Sequence, residues 1–163
     1  MNQDWKEWLR LALATLLAPI LAAGLSAALL AMVIAPELVF RVEIDSVTSR
    51  PATLPEIMAS LIGFGFLGGA FGIFLGWPAM MIAGLPAHRW LVSKGRTDWL
   101  PYALIGLAAG TVTMLIYFLA TGSLRDPSLL LDASPLLATG PLTGFLAASL
   151  FWLVRLPGRI SAS

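Results

Sequence analysis

Charged residues and the single histidine fall in clusters along this chain, and the intervals between the clusters are its strongest pattern. No Asp, Glu, Lys, Arg or His occurs at 11–36, 57–87, 99–124 or 133–154. Those windows hold 26, 31, 26 and 22 residues, and about 20 apolar residues suffice to cross a bilayer as a helix. The pattern predicts four transmembrane helices over about 8–35, 54–86, 99–122 and 135–156. The expected fold is an all-α membrane protein, one integral domain over 1–163 in which the four spans form a compact antiparallel bundle.

Local signals refine the elements. Trp5 and Trp8 stand among charges, as interfacial anchors do, and Pro19 should kink the first span. Thr15, Pro19, Ala22, Ala23 and Ser26 share one face of it at helical spacing. In the loop 36–53, Phe40, Val42 and Ile44 alternate with Arg41, Glu43 and Asp45, the period of a short strand. Thr53, Pro55 and Glu56 read as a capping box that opens the second helix. That helix is expected to continue past Pro86 to Lys94, with Gly95 as its stop. Asp98 can cap the third helix, with Pro101 in its first turn. Asp126-Pro127 and Ser134-Pro135 are two successive cap–proline pairs, which imply a one-turn helix at 127–132 before the fourth span. Pro141 should bend that span.

Glycine is costly in a water-exposed helix, by about 1 kcal/mol relative to alanine, yet "GFGFLGGAFGIFLGWP" at 63–78 is full of it. Gly65, Gly68, Gly69, Gly72 and Gly76 fall within one narrow arc, with Phe64, Phe71 and Phe74 outside it. In lipid, helices associate through close backbone contact, which small-xxx-small patterns permit. The groove is therefore expected to be a glycine zipper, packing either a neighbouring span or a partner, with a hinge as a further reading. The third span carries a stripe of Tyr102, Gly106, Gly110, Thr113 and Tyr117. The fourth carries Gly140, Thr143, Gly144, Ala147 and Phe151. Hydroxyls at membrane depth need partners, so Tyr102, Thr113 and Tyr117 should bond across the bundle or line a polar pocket.

Composition changes the picture in three ways. The chain is 58% hydrophobic and 12% charged, against about 25% charged in a soluble domain, which excludes a water-soluble monomer. It has no cysteine, which removes disulfides, thiol catalysis and zinc–thiolate sites. Its cations are unevenly placed. Lys6, Arg10, Arg89, Lys94, Arg96, Arg155 and Arg159 fall on one side of the predicted membrane, and Arg41, Arg50 and Arg125 on the other. The positive-inside rule then puts both termini and the 88–98 loop in the cytoplasm. The first span is too long for a signal-peptide core and lacks a positive leader, so retention is expected.

Chemistry is sparse. No carboxylate or histidine lies within a predicted span, which argues against proton-coupled transport. His88 stands alone beside Arg89 and Trp90 and reads as an interfacial residue. "GFGFLG" looks like a dinucleotide fingerprint but lies inside a span with no preceding strand. No catalytic, cofactor or metal constellation is legible. Arg89, Lys94 and Arg96 in the basic loop are candidates for anionic lipid headgroups. They are too few to suggest nucleic acid.

The segment "GLPAHRWLVSKGRTDWLPYALIGLAAG", 84–110, resembles a diffuse group of small, uncharacterised four-helix bacterial inner-membrane proteins. In that group an L-P-x-H/Y turn precedes a basic segment and a Y-x-L-x-G-x-x-x-G helix. The resemblance implies an inner-membrane location and the four-helix architecture, and supplies no activity. The expected function is a non-enzymatic accessory, assembly or structural component that packs against itself or other membrane subunits. The alternative is a lipid-binding or permease-like protein with an uncharged pocket between the second and third spans. Membrane lipids are expected partners in either case.

Overall fold

The first charge-free window forms α1, Gln3–Ile34, a 32-residue helix unbroken through Pro19. Its buried face is built from Ala14, Thr15, Ala18, Pro19, Ala22 and Ser26, small side chains that let other helices approach. The computed structural model describes residues 3–44, 48–122 and 137–155. Four helices of more than one turn or two are found in that range, and three of them, α1 among them, are long and apolar enough to cross a membrane.

A short helix α2, Pro36–Phe40, follows α1. The strand expected from alternation exists as β1, Arg41–Glu43, and it is not isolated. It pairs antiparallel with β2, Ser49–Pro51, so that Val42 faces Arg50. The pairing partner carried no alternating pattern of its own, which is why only one strand was expected. Arg50 then ties the hairpin to the next helix through a two-pronged ion pair with Glu56, at 2.9 and 2.6 Å. The Glu56 carboxylate also accepts the Thr53 backbone N–H at 2.8 Å and the Thr53 hydroxyl at 2.7 Å. The carboxylate raises the pKa of Arg50, through the hydrogen bond first and charge second.

Helix α3 runs for 40 residues, Leu54–Ser93. It is not regular: two π turns, Gly72–Gly76 and Met80–Gly84, interrupt it. Each ends two residues before a proline, Pro78 or Pro86. A proline has no N–H for the carbonyl four residues back and crowds it. Widening the preceding turn relieves that conflict, so the helix continues where it would otherwise break. Helix α3 stops as expected at Gly95, whose φ of +66° is open to glycine at no steric penalty. Arg96 N–H donates to Leu91 O at 2.9 Å and Gly95 N–H to Val92 O at 3.0 Å, which completes a Schellman turn.

Asp98 has the extended backbone of an N-cap, but its side chain makes no capping bond. Helix α4, Trp99–Ala120, follows, then α5, Thr139–Arg155. The one-turn helix expected at 127–132 lies outside the described residues, as does the start of the fourth span.

The helices pack unevenly. Helix α1 lies against α3 and α5, and α5 lies against α4. By contrast α3 meets α4 chiefly through its second half, from Trp77 to Ser93. The short turn at 94–98 holds these ends together while the other ends stand apart. Buried Ala14, Ala18, Met80, Leu91, Tyr102 and Phe151 form the core near that turn. Indole N–H groups pin this end. Trp152 donates to Thr97 O at 2.7 Å, and Trp99 to Ser149 Oγ at 3.0 Å. Further along, Trp77 donates to Leu16 O at 3.0 Å, fastening α3 to α1. The outer surfaces are apolar: Phe66, Phe74 and Ile82 on α3 are each more than three-quarters exposed, as lipid-facing side chains would be.

Candidate functional site

Because α3 and α4 diverge, a cleft of about 760 Å³ runs between them. Its walls come from all four long helices: Ala23 and Ser26 of α1, Phe64 and Leu67 of α3, Tyr117 of α4, and Thr143 of α5 are among them. Along α3 the lining extends from Phe64 to Leu91, roughly 40 Å at 1.5 Å per residue. A hydrocarbon core is about 30 Å thick, so the cleft is as long as a membrane is deep. Among the described residues the wall contains no carboxylate, lysine or arginine.

The glycines of the sequence stripes make the helix contacts that bound this cleft. A Cβ on Gly68 would collide with Ala23 and Ala27 of α1, and one on Gly72 would stand 2.8 Å from Pro19 O. One on Gly76 would stand 2.8 Å from the Pro19 ring. Gly65 and Gly69 belong to the same face, but a methyl there meets nothing closer than 3.7 and 3.4 Å. On the other side, Gly106 faces Gly144 and Gly110 faces Gly140, backbone against backbone. All nine glycines therefore line contacts within the chain. Gly24, which no stripe singled out, joins them: a Cβ there would lie 2.7 Å from Gly65 O.

The polar stripe is divided. Tyr102, Thr113 and Tyr117 all border the cleft, but each is held differently. Thr113 donates to Ala109 O of its own helix at 2.9 Å, not across to another span. Tyr117 is half-exposed and packs edge-on against Phe118. Only Tyr102 is buried and bonded across the structure, its hydroxyl 2.7 Å from His88 Nδ1.

The burial of His88 was not foreseen: only 6% of its surface is exposed. Its ring lies 5.2 Å from that of Phe151, edge to face, and 5.8 Å from that of Tyr102. The signal was present in the spacing. Gly72, Gly76, Met80, Gly84 and His88 recur every fourth residue, so His88 continues the glycine stripe of α3. Tyr102 begins the stripe of α4, and the tight turn between the helices brings the two together. The result is a closed aromatic end to an otherwise open cleft.

Two further polar features border this region. Ser26 Oγ is buried in the α1 wall with no hydrogen-bond partner among the described residues. At the end of α5, Nε and Nη1 of Arg155 are likewise buried without such a partner. By contrast Arg89, Lys94 and Arg96 are exposed. Among the described residues no group of acids and histidines is placed to hold a metal. Comparison with protein-family models, with curated proteins and with solved structures returns no match for this chain.

Proposed function

We propose that this chain is an integral membrane protein, set in a bacterial inner membrane as a four-span bundle with both termini cytoplasmic, that holds one lipid-sized molecule in the cleft between α3 and α4. The observation that carries the reading is the size and lining of that cleft. Ligand pockets span about 300–1,000 Å³ and are mostly apolar, and 760 Å³ falls inside that range. Its lining is almost wholly aliphatic, aromatic and glycine, which suits hydrocarbon.

The accessory-subunit reading rested on glycine faces presented to a partner. Those faces are engaged inside the chain, so the pocket reading carries further. It needs no catalytic residue, and hydroxyls of Thr113 and Tyr117 suffice to orient a guest.

The test is retention of lipid by the purified full chain. Extracted in mild detergent and examined by native mass spectrometry, the wild-type chain should carry one lipid. Ala109→Trp and Thr143→Trp, which fill the cleft from opposite walls, should each lose it. Leu104→Trp, on the exposed side of α4, should keep it. A wild-type chain that travels without lipid across several detergents sinks the reading.

A further inference from the structure

His88, Tyr102 and Phe151 all line the cleft, and each is more than nine-tenths buried. The Tyr102 hydroxyl occupies His88 Nδ1 at 2.7 Å, so Nε2 is the ring nitrogen left for another molecule. Tyr102 has no second acceptor among the described residues. The arrangement that leaves no phenol donor unmet has its O–H donating to Nδ1, which puts the imidazole proton on Nε2. That N–H is then a buried donor without an acceptor at the closed end of the cleft, a costly state unless something fills it. Two features narrow what can. Among the described residues no lysine or arginine lines the cleft, so a phosphate or carboxylate head there would lack a counter-charge. The surroundings are also aromatic: the Tyr102 and Phe151 ring planes lie 27° apart, and His88 stands edge-on to Phe151. Flat unsaturated rings pack well in such company.

We infer that the molecule held in the cleft is a long-chain quinone, with its ring at the aromatic end, one carbonyl oxygen accepting His88 Nε2–H, and its hydrocarbon tail along α3 toward Phe64. This rests on the pocket reading above and adds the class and direction of the guest. A quinone carbonyl accepts a hydrogen bond and brings neither a charge nor a donor for the site to satisfy. A phospholipid would have to lie the other way, its head at the mouth, and would leave Nε2–H against hydrocarbon. Ser26, the other cleft residue with an unpartnered polar atom among the described residues, is remote from this end. Its neighbours Ala23 and Ala27 meet Gly68, roughly 30 Å along α3 from His88.

The experiment offers the purified full chain equal amounts of decylbenzoquinone and decylbenzene, which share ring size and tail and differ in the carbonyls. Native mass spectrometry reads what is bound. The wild-type chain should favour the quinone by about tenfold, and phosphatidylcholine at the same concentration should not displace it. His88→Phe combined with Tyr102→Phe keeps the aromatic volume, and should abolish the preference while one molecule still binds. Tyr102→Phe alone leaves the imidazole and should keep most of the preference. Ser26→Ala should change nothing, and Ala109→Trp should prevent binding of either probe. Binding without preference, displacement by phosphatidylcholine, or a preference that survives in the double variant would each show the quinone assignment to be wrong while the pocket reading stands. Loss of preference in Tyr102→Phe as complete as in the double variant would give the head to the phenol, and loss in Ser26→Ala would put it at the other end; either overturns the role of His88. If Ala109→Trp still prefers the quinone, the ring lies outside the cleft and the inference fails. If the wild-type chain holds neither probe nor lipid, the pocket reading fails and takes this one with it.

Discussion

At the scale of single residues, glycines with the same surroundings in the sequence have different weights in the structure. A Cβ on Gly72 would stand 2.8 Å from Pro19 O and 2.9 Å from Ala23 Cβ, whereas one on Gly63 would meet nothing within 4 Å. Overfilling a packed contact usually costs about 1–3 kcal/mol. Gly72→Leu should therefore lower the thermal midpoint in detergent by several degrees, and Gly63→Leu should leave it near the wild-type value. Equal shifts would mean that the α1–α3 contact is not where the stability lies. The His88–Tyr102 pair makes a second residue-scale case. Tyr102→Phe removes the hydroxyl and strands a buried ring nitrogen, a loss of about 1–3 kcal/mol, while replacing both partners with apolar groups of similar shape is far milder. His88→Phe combined with Tyr102→Phe should thus be more stable than Tyr102→Phe alone in the same melt. An additive double variant would show that the 2.7 Å contact contributes little.

At the scale of elements, what was legible depended on whether the deciding force was local. The spans, the capping box at Thr53 and Glu56, and the stop at Gly95 are local matters of hydropathy and backbone geometry, and each is visible in a few consecutive residues. Gly95 gives a direct check. Its φ of +66° is disfavoured for other residues by roughly 1–2 kcal/mol, so Gly95→Ala should destabilise the chain by about that much in a detergent melt. A neutral result would argue that the 94–98 turn rearranges freely. The π turns were not legible, although their cause was. Pro78 and Pro86 announce a conflict in α3, but whether a helix breaks, kinks or widens depends on what packs around it. Here Trp77 is fastened to Leu16 and Met80 is buried in the core, which keeps the helix on course through both prolines. The burial of His88 and of two Arg155 nitrogens was hidden for the same reason. A side chain next to charges in sequence gives no sign of burial until the neighbouring helix that covers it is known.

At the scale of the whole molecule, the uneven packing of the helices and the uneven placement of the cations support one arrangement. The end where α3 and α4 meet is tightly cored, pinned by Trp99 and Trp152, and flanked by Arg10, Arg89, Lys94, Arg96 and Arg155. The other end carries the β1–β2 hairpin and the mouth of the cleft. If the cationic end faces the cytoplasm, as proposed from the excess of lysine and arginine there, then the aromatic seal lies at the inner leaflet. The cleft would open toward the outer one. That orientation decides which leaflet the mouth of the cleft faces. It is open to a direct check in intact cells, since the chain has no native cysteine and any label reports on an introduced one. A cysteine at Ser49, exposed in β2, should react with an impermeant thiol reagent before lysis. A cysteine at Ser93, exposed at the end of α3, should react only after it. Labelling of Ser93→Cys in unbroken cells, with Ser49→Cys protected, would invert the protein. The pocket reading would survive that reversal, but the mouth of the cleft would then face the inner leaflet, and the basic loop could not serve to gather acidic lipid from the cytoplasmic face.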